Sequence, residues 1–180
     1  KDIFISLDCA ASEFFDGKNY ILNATDETFS SDGLIDYYVK LIKKFDIKSI
    51  EDPLHEDDWD GWIKLTRELN GVQIVGDDIF VTQRELLKKG IDSHAGNAIL
   101  IKPNQVGTLT ESLESIQFAK ENEFNTIISH RSGETEDSFI ADLAVGVDAK
   151  QIKTGAPSRS DRNSKYNRLL IIENELYPKK

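Results

Sequence analysis

Short apolar runs recur along the chain, and six of them end at a side chain that can carry charge or exchange a proton. Ile3-Phe4-Ile5-Ser6-Leu7 runs into Asp8, Ile47-Lys48-Ser49-Ile50 into Glu51, and Val72-Gln73-Ile74-Val75-Gly76 into Asp77. Ala98-Ile99-Leu100-Ile101 runs into Lys102, Thr126-Ile127-Ile128-Ser129 into His130, and the brief Gln151-Ile152 into Lys153. Apolar runs this short, bounded by polar residues, predict strands. From Glu51 onward the stops recur roughly every 25 residues, the length of one strand plus one crossover helix.

Between the strands the period changes to that of helices. Leu34, Ile35, Tyr38, Leu41, Ile42 and Phe45 fall on one helical face, and a second helix is expected near 57–69, ending before Asn70-Gly71. Thr82-Gln83-Arg84-Glu85 and Thr108-Leu109-Thr110-Glu111 both read as capping boxes, the second opening a helix through about Asn122. Phe139, Ile140, Leu143, Ala144 and Val147 mark another helix, and a last one spans about 161–173 before a frayed Tyr177-Pro178-Lys179-Lys180 tail. The segment from Phe14 to Phe29, with Asp16-Gly17-Lys18-Asn19 as turn residues, has room for a small hairpin over the strand ends.

Strand and helix alternate throughout, which implies an α/β fold with parallel strands and right-handed crossovers. An open doubly wound sheet and a barrel both satisfy that order. Reactive groups at the ends of several different strands favour the barrel, and no glycine-rich dinucleotide loop follows the first strand. A closed barrel needs eight strands and about 250 residues. The expectation is therefore a single domain, 1–180, holding about six βα units from the C-terminal portion of a TIM-like barrel, with the first barrel strands and any N-terminal domain absent.

Composition narrows the partners. With 39% hydrophobic and 30% charged residues the chain is an ordinary globular domain. No apolar stretch approaches a membrane span, and no signal peptide is expected. A net charge of −10 argues against nucleic acid or an anionic membrane as the main partner. Cys9 is the one cysteine; it suits a reducing cytoplasm and reads as a small core filler.

Three constellations carry chemistry. A single acidic strand end is usually a cap or a surface ion pair, but Asp8, Glu51 and Asp77 on successive long strands would repel one another unless a cation neutralised them. Oxygen-only ligation favours Mg²⁺. Asp52 and Asp78 stand next to two of them, and alternation should turn one of each pair away from the mouth. Lys102 and Lys153 would sit at a partly desolvated rim, where the ammonium pKa should fall; a base, a Schiff-base lysine and a simple ion-pair partner are all open. Ser129 through Asp137 offers an Arg131 fork, the Ser132 hydroxyl and Gly133 before a helix whose N-terminal amides could face an anion.

Those segments, together with Leu7-Asp8-Cys9-Ala10-Ala11-Ser12-Glu13, Ser49-Ile50-Glu51-Asp52-Pro53, Gly76-Asp77-Asp78, Leu100 through Thr108 and Ile152-Lys153-Thr154-Gly155-Ala156-Pro157, resemble the enolase family in order over nearly the whole chain. The resemblance implies reversible, Mg²⁺-dependent dehydration of 2-phospho-D-glycerate to phosphoenolpyruvate. It implies Asp8, Glu51 and Asp77 as metal ligands, Glu51 and Asp77 also lining the substrate site. Lys102 would be the base, Lys153 would contact the substrate carboxylate and lower the Lys102 pKa, and His130, Arg131 and Ser132 would bind substrate, the last two at the phosphate. It further implies a general-acid glutamate upstream of these residues, a homodimer or octamer, and a cytoplasmic protein that can also be surface-displayed or secreted. A racemase or cycloisomerase acting on an unphosphorylated acid is the other enzyme reading, disfavoured by Arg131-Ser132. The non-catalytic alternative is a plasminogen-type partner recognising Lys179 and Lys180.

Overall fold

The computed structural model describes residues 3–178; the Lys179 and Lys180 of the proposed plasminogen contact lie outside them. In chain order, β1 (Ile5–Asp8) leads through a 3₁₀ turn, Ala11–Phe14, to a hairpin of β2 (Tyr20–Leu22) and β3 (Glu27–Phe29). There follow α1 (Ser31–Phe45), β4 (Ile47–Glu51), α2 (Trp59–Glu68), β5 (Gln73–Gly76), α3 (Arg84–Ser93) and β6 (Ala98–Ile101). The short α4 (Pro103–Val106), α5 (Leu109–Glu121), β7 (Asn125–Ser129), α6 (Phe139–Gly146), β8 (Gln151–Lys153) and α7 (Ser160–Leu176) complete it.

The long-range sheet runs β1-β4-β5-β6-β7-β8, every pair parallel. Neighbours follow chain order without a reversal, so the sheet has no topological switch point and is not doubly wound. It curls instead. Gln73 on β5 and Gln151 on β8 exchange side-chain hydrogen bonds of 3.0 and 2.8 Å, and Lys153 on one edge strand reaches Asp8 on the other. Two strands separated by several others in the sheet meet in this way only across the inside of a partial barrel.

Side-chain alternation explains which residues face that interior. Leu7, Ile50, Ile74, Ile99, Ile101, Ile128 and Ile152 point outward into the main core beneath the helices. Val75, Ala98, Leu100 and Ile127 point inward and form a second, smaller cluster. On the same inward parity lie Asp8, Glu51, Asp77, Lys102 and Lys153. One strand slip would have exchanged the two sets.

Local chemistry sets the element ends. Ser30 and Asp58 cap α1 and α2 by accepting the amides of Gly33 and Gly61 at 3.2 and 3.0 Å. Thr108 caps α5 as expected, accepting the Glu111 amide at 3.1 Å, although the Glu111 carboxylate returns to the Thr108 hydroxyl rather than to its amide. The Thr82 box does not form: α3 begins after Gln83 with no side-chain cap, because the buried Thr82 hydroxyl is engaged elsewhere. The hairpin packs on the loop after β4 through the buried Tyr20, whose hydroxyl accepts the His55 amide at 3.0 Å. Phe80 sits fully buried against Gly76 and Gly90, where any Cβ would collide with its ring.

Candidate active site at the strand ends

The inward parity gathers the reactive strand ends at one rim. Asp8 and Glu51 are register partners, and the Lys153 ammonium bridges them, 2.6 Å from Asp8 Oδ2 and 2.7 Å from Glu51 Oε1. Asp77, beyond the end of β5, forms a direct ion pair with Lys102, beyond the end of β6. Glu51 and Asp77 are only 6% and 7% exposed. Burial pushes the Glu51 carboxyl up, the Lys153 contact opposes this, and repulsion from Asp8 and Asp77 adds to it. The three inward carboxylates therefore feel one another, although each already has a lysine partner. A cavity of about 610 Å³, lined by Asp8, Glu51, Val75, Gln151 and Lys153, opens beside them.

Asp52 and Asp78, the neighbours that confuse the sequence pattern, separate by role. The Asp52 carboxylate turns away from the interior and accepts the amides of Asp77 and Asp78, each at 2.9 Å. It clamps the turn that presents Asp77, and burial pushes its carboxyl up to about 8. Asp52, Asp77 and Asp78 bring carboxylate oxygens within 4.8 Å of one another. The Asp52 oxygens are already engaged by two amides.

After Asp77 the chain makes a tight turn in which Val81 and Thr82 both adopt left-handed backbone, φ 41° and 61°. For β-branched residues this is a costly conformation, about 1–3 kcal/mol each. The Thr82 hydroxyl accepts the Lys102 amide at 2.9 Å and donates to Gln105 Oε1 at 2.7 Å. Gln105 in turn extends its amide nitrogen toward Asp77 Oδ1 at 3.4 Å.

The opposite side of the rim carries Arg131, Arg162 and Lys165, the last two paired with Asp161 and Glu134 at 3.4 and 3.5 Å. The His130 amide donates to the Lys153 carbonyl at 3.0 Å. Its imidazole is pushed down to about 4 by burial and by the charges of Arg162, Lys153, Lys102 and Lys165, so it is neutral near pH 7. Arg162 of α7 donates to His130 Nδ1, leaving the ring proton on Nε2. The same guanidinium holds the carbonyls of Arg131 and Ser132 at 3.0 and 3.2 Å. Lys165, one turn further and fully buried, donates to the Thr135 carbonyl at 2.5 Å. Arg131 itself reaches Asn104 Oδ1 at 3.2 Å. Arg131 and Ser132 stay exposed, beside a cavity of about 200 Å³ lined by Asn104, His130, Arg131 and Gly133.

A family model described as "Enolase, C-terminal TIM barrel domain" matches residues 1–179. The chain belongs to this enolase family. An enolase from Natranaerobius thermophilus is 52% identical over 178 residues, which cover 98% of this chain and 42% of that relative. The chain thus spans less than half of the relative's length.

Within the enolase frame, the structure brings Asp8, Glu51, Asp77, Lys102 and Lys153 to one rim, with His130, Arg131 and Ser132 on the loop beside it. Two sequence expectations change. The Lys153 pKa does not fall: burial lowers it, but hydrogen bonds to Asp8 and Glu51 outweigh burial and hold it above its ordinary value. The helix after the 130–138 loop starts only at Phe139, and its first amide already donates to the loop's own Asp137 Oδ1 at 2.8 Å, while Arg162 and Lys165 also contact the loop. Sequence reasoning missed Arg162, Lys165 and Gln105, because no local pattern marks a polar side chain whose partners lie 23 to 32 residues away. Cys9 is half-buried against the core, its thiol pushed up to about 11 by burial, as fits a core filler.

Proposed function

We propose that the chain carries the catalytic rim of an enolase, the C-terminal part of its barrel, and that the whole protein reversibly dehydrates 2-phospho-D-glycerate to phosphoenolpyruvate with Mg²⁺. The observation that supports this is the division of one rim into an acidic half, Asp8, Glu51 and Asp77, and a half around His130 that carries Arg131, Arg162 and Lys165, with Lys102 and Lys153 between them. A substrate bearing both a carboxylate and a phosphate, together with a divalent cation, needs that division.

Asp8, Glu51 and Asp77 would hold a hard cation, although the carboxylate oxygens within 4.8 Å of one another belong to Asp52, Asp77 and Asp78. The donors of the first set are all oxygens, two of its carboxylates are buried, and burial, with repulsion from Asp8 and Asp77 added, raises Glu51. Bound there, Mg²⁺ would offset the negative charge that grows on the substrate carboxylate. Lys102 would take the C2 proton as general base. The Lys153 ammonium, on a flexible stem already shared between two carboxylates, would donate to the substrate carboxylate as its charge increases, which stabilises the transition state more than the ground state. Neutral His130 would offer Nε2–H. The Arg131 fork and the Ser132 hydroxyl, both exposed beside the small cavity, would grip the phosphate. Hydroxide leaves with help from an acid outside these residues, so the 180-residue chain alone would not complete the reaction. The whole protein would be a cytoplasmic homodimer or octamer.

The test is phosphoenolpyruvate formation from 2-phosphoglycerate by the full-length protein with Mg²⁺. Activity that Lys102→Ala lowers by about 10²-fold or more supports the reading. No turnover by the wild type, or full turnover by Lys102→Ala, overturns it.

A further inference from the structure

Thr82 looks in sequence like a helix cap, yet its hydroxyl has no part in the helix. Its position is unfavourable in two ways. Thr82 is fully buried, and it is the second of two consecutive β-branched residues in left-handed backbone. Such an arrangement persists only where surrounding contacts over-determine it. Those contacts are present: Ser115 of α5 donates to the Thr82 carbonyl at 2.7 Å, and the Asp77 carbonyl accepts the Phe80 and Val81 amides at 3.1 and 2.7 Å.

What the strained turn presents is the hydroxyl. It accepts the backbone amide of Lys102 at 2.9 Å and directs its one proton to Gln105 Oε1 at 2.7 Å, the Leu100 carbonyl being a more distant acceptor at 3.4 Å. That contact fixes the orientation of the Gln105 amide, whose nitrogen then faces Asp77 Oδ1 at 3.4 Å. The remaining Asp77 oxygen holds the Lys102 ammonium. The four residues close a ring, from Thr82 to the Lys102 backbone, along the Lys102 side chain to Asp77, and back through Gln105. It ties the end of β6 to the turn after β5 at two points on Lys102, one at the backbone and one at the side-chain tip.

We infer that Thr82 and Gln105 are positioning residues for Lys102 and Asp77, fixing the distance between the base and the carboxylate beside it. This rests on the enolase reading for the roles of those two groups. Neither Thr82 nor Gln105 need touch substrate. Removing the hydroxyl would free the Lys102 amide and release the Gln105 carbonyl, while the side-chain volume could be kept.

The experiment uses the full-length protein with Thr82→Val, which keeps shape and loses the hydroxyl, and Thr82→Ser, which keeps the hydroxyl. Two readouts are taken: steady-state kinetics on 2-phosphoglycerate, and hydrogen exchange of the Lys102 backbone amide in protein without added Mg²⁺. For Thr82→Val the expected result is a kcat lower by roughly tenfold to a hundredfold, KM within about twofold, and faster exchange confined to Lys102 and its neighbours. Thr82→Ser should restore both. If Thr82→Val does not fold, Gln105→Leu, at a half-buried position, is read on kcat and KM, with the same fall in kcat at little-changed KM expected and wild-type kcat overturning the inference; its Lys102 exchange should stay unchanged because the Thr82 hydroxyl still accepts that amide. Wild-type kcat with unchanged Lys102 exchange in the Val variant overturns the inference, as does exchange that rises uniformly across the chain. A wild type that is inactive on 2-phosphoglycerate, combined with faster Lys102 exchange in the Val variant, retires the enolase reading and leaves the ring supported.

Discussion

Asp52 stands one residue beyond Glu51, and the two carboxylates have opposite surroundings. Glu51 faces the interior and Lys153; Asp52 accepts two backbone amides in the turn that carries Asp77. Sequence alternation says that one of the pair turns away, but not which, since that choice depends on which parity of β4 faces the barrel. Asp52→Asn keeps the shape and leaves one acceptor for two amides. Because burial has already pushed the Asp52 carboxyl up to about 8, relief of buried charge at pH 7 is small and the orphaned donor dominates. Urea unfolding should show a loss of about 1–2 kcal/mol; equal or greater stability would contradict the clamp. His130 gives a pH prediction. Its pKa is about 4 in the folded chain and near 6.5 when unfolded, so between these values only the unfolded state binds the proton. Its contribution to stability is complete above about pH 6.5 and is lost as pH falls through about 4. Proton NMR of the His130 ring should show a midpoint near 4, and a midpoint above 6 would mean that neither burial nor the Arg162 charge holds the ring neutral.

The elements themselves were legible because their signals are local. Strand runs, amphipathic faces and the Thr108 cap depend on neighbours within a few residues, and each strand end fell within a residue or two of its reactive stop. The same reasoning failed at Thr82, where an identical pattern was overruled by partners 20 and 23 residues away. It placed the helix α7 but gave no role to its Arg162 and Lys165, buried polar groups aimed at another loop. In the fold these cations make one face of α7 the support for the loop that carries His130, Arg131 and Ser132. Replacing Arg162 by Met would leave the carbonyls of Arg131 and Ser132 without their donor. A stability loss of about 2–3 kcal/mol is expected, with faster amide exchange concentrated at 130–135. Arg162→Lys should recover only part of this, since a single ammonium cannot reproduce the fork. Unchanged exchange in that loop for Arg162→Met would show that α7 does not hold it.

At the scale of the whole molecule, strand counting was informative in a way that no single motif was: six parallel strands curl, but their ends do not pair. β1 and β8 each have one neighbour in the sheet, and side chains rather than a strand ladder join them, Lys153 to Asp8 at the rim. Around those edges apolar side chains lie open, Ile3 at 82% and Ile5 at 46% exposure beside β1, and Leu170 and Leu176 on α7 at 63% and 59%. An unpaired edge flanked by exposed aliphatic groups is a template for association. The net charge of −10 opposes that association at low salt, and this repulsion is screened within about 10 Å at 0.1 M ionic strength. Hydrophobic attraction at the edge is not screened, so salt should tip the balance. The isolated 180-residue chain is therefore expected to sediment as a concentration-dependent mixture, with more association at high salt and strong binding of a hydrophobic dye. Ile3→Lys with Ile5→Lys, which puts charge beside the β1 edge, should shift it toward monomer. The full-length protein should bind little dye if its upstream residues cover the same surfaces. An isolated chain that stays monomeric and dye-free from low to high salt would mean that the two edges are already sheltered by the curl itself.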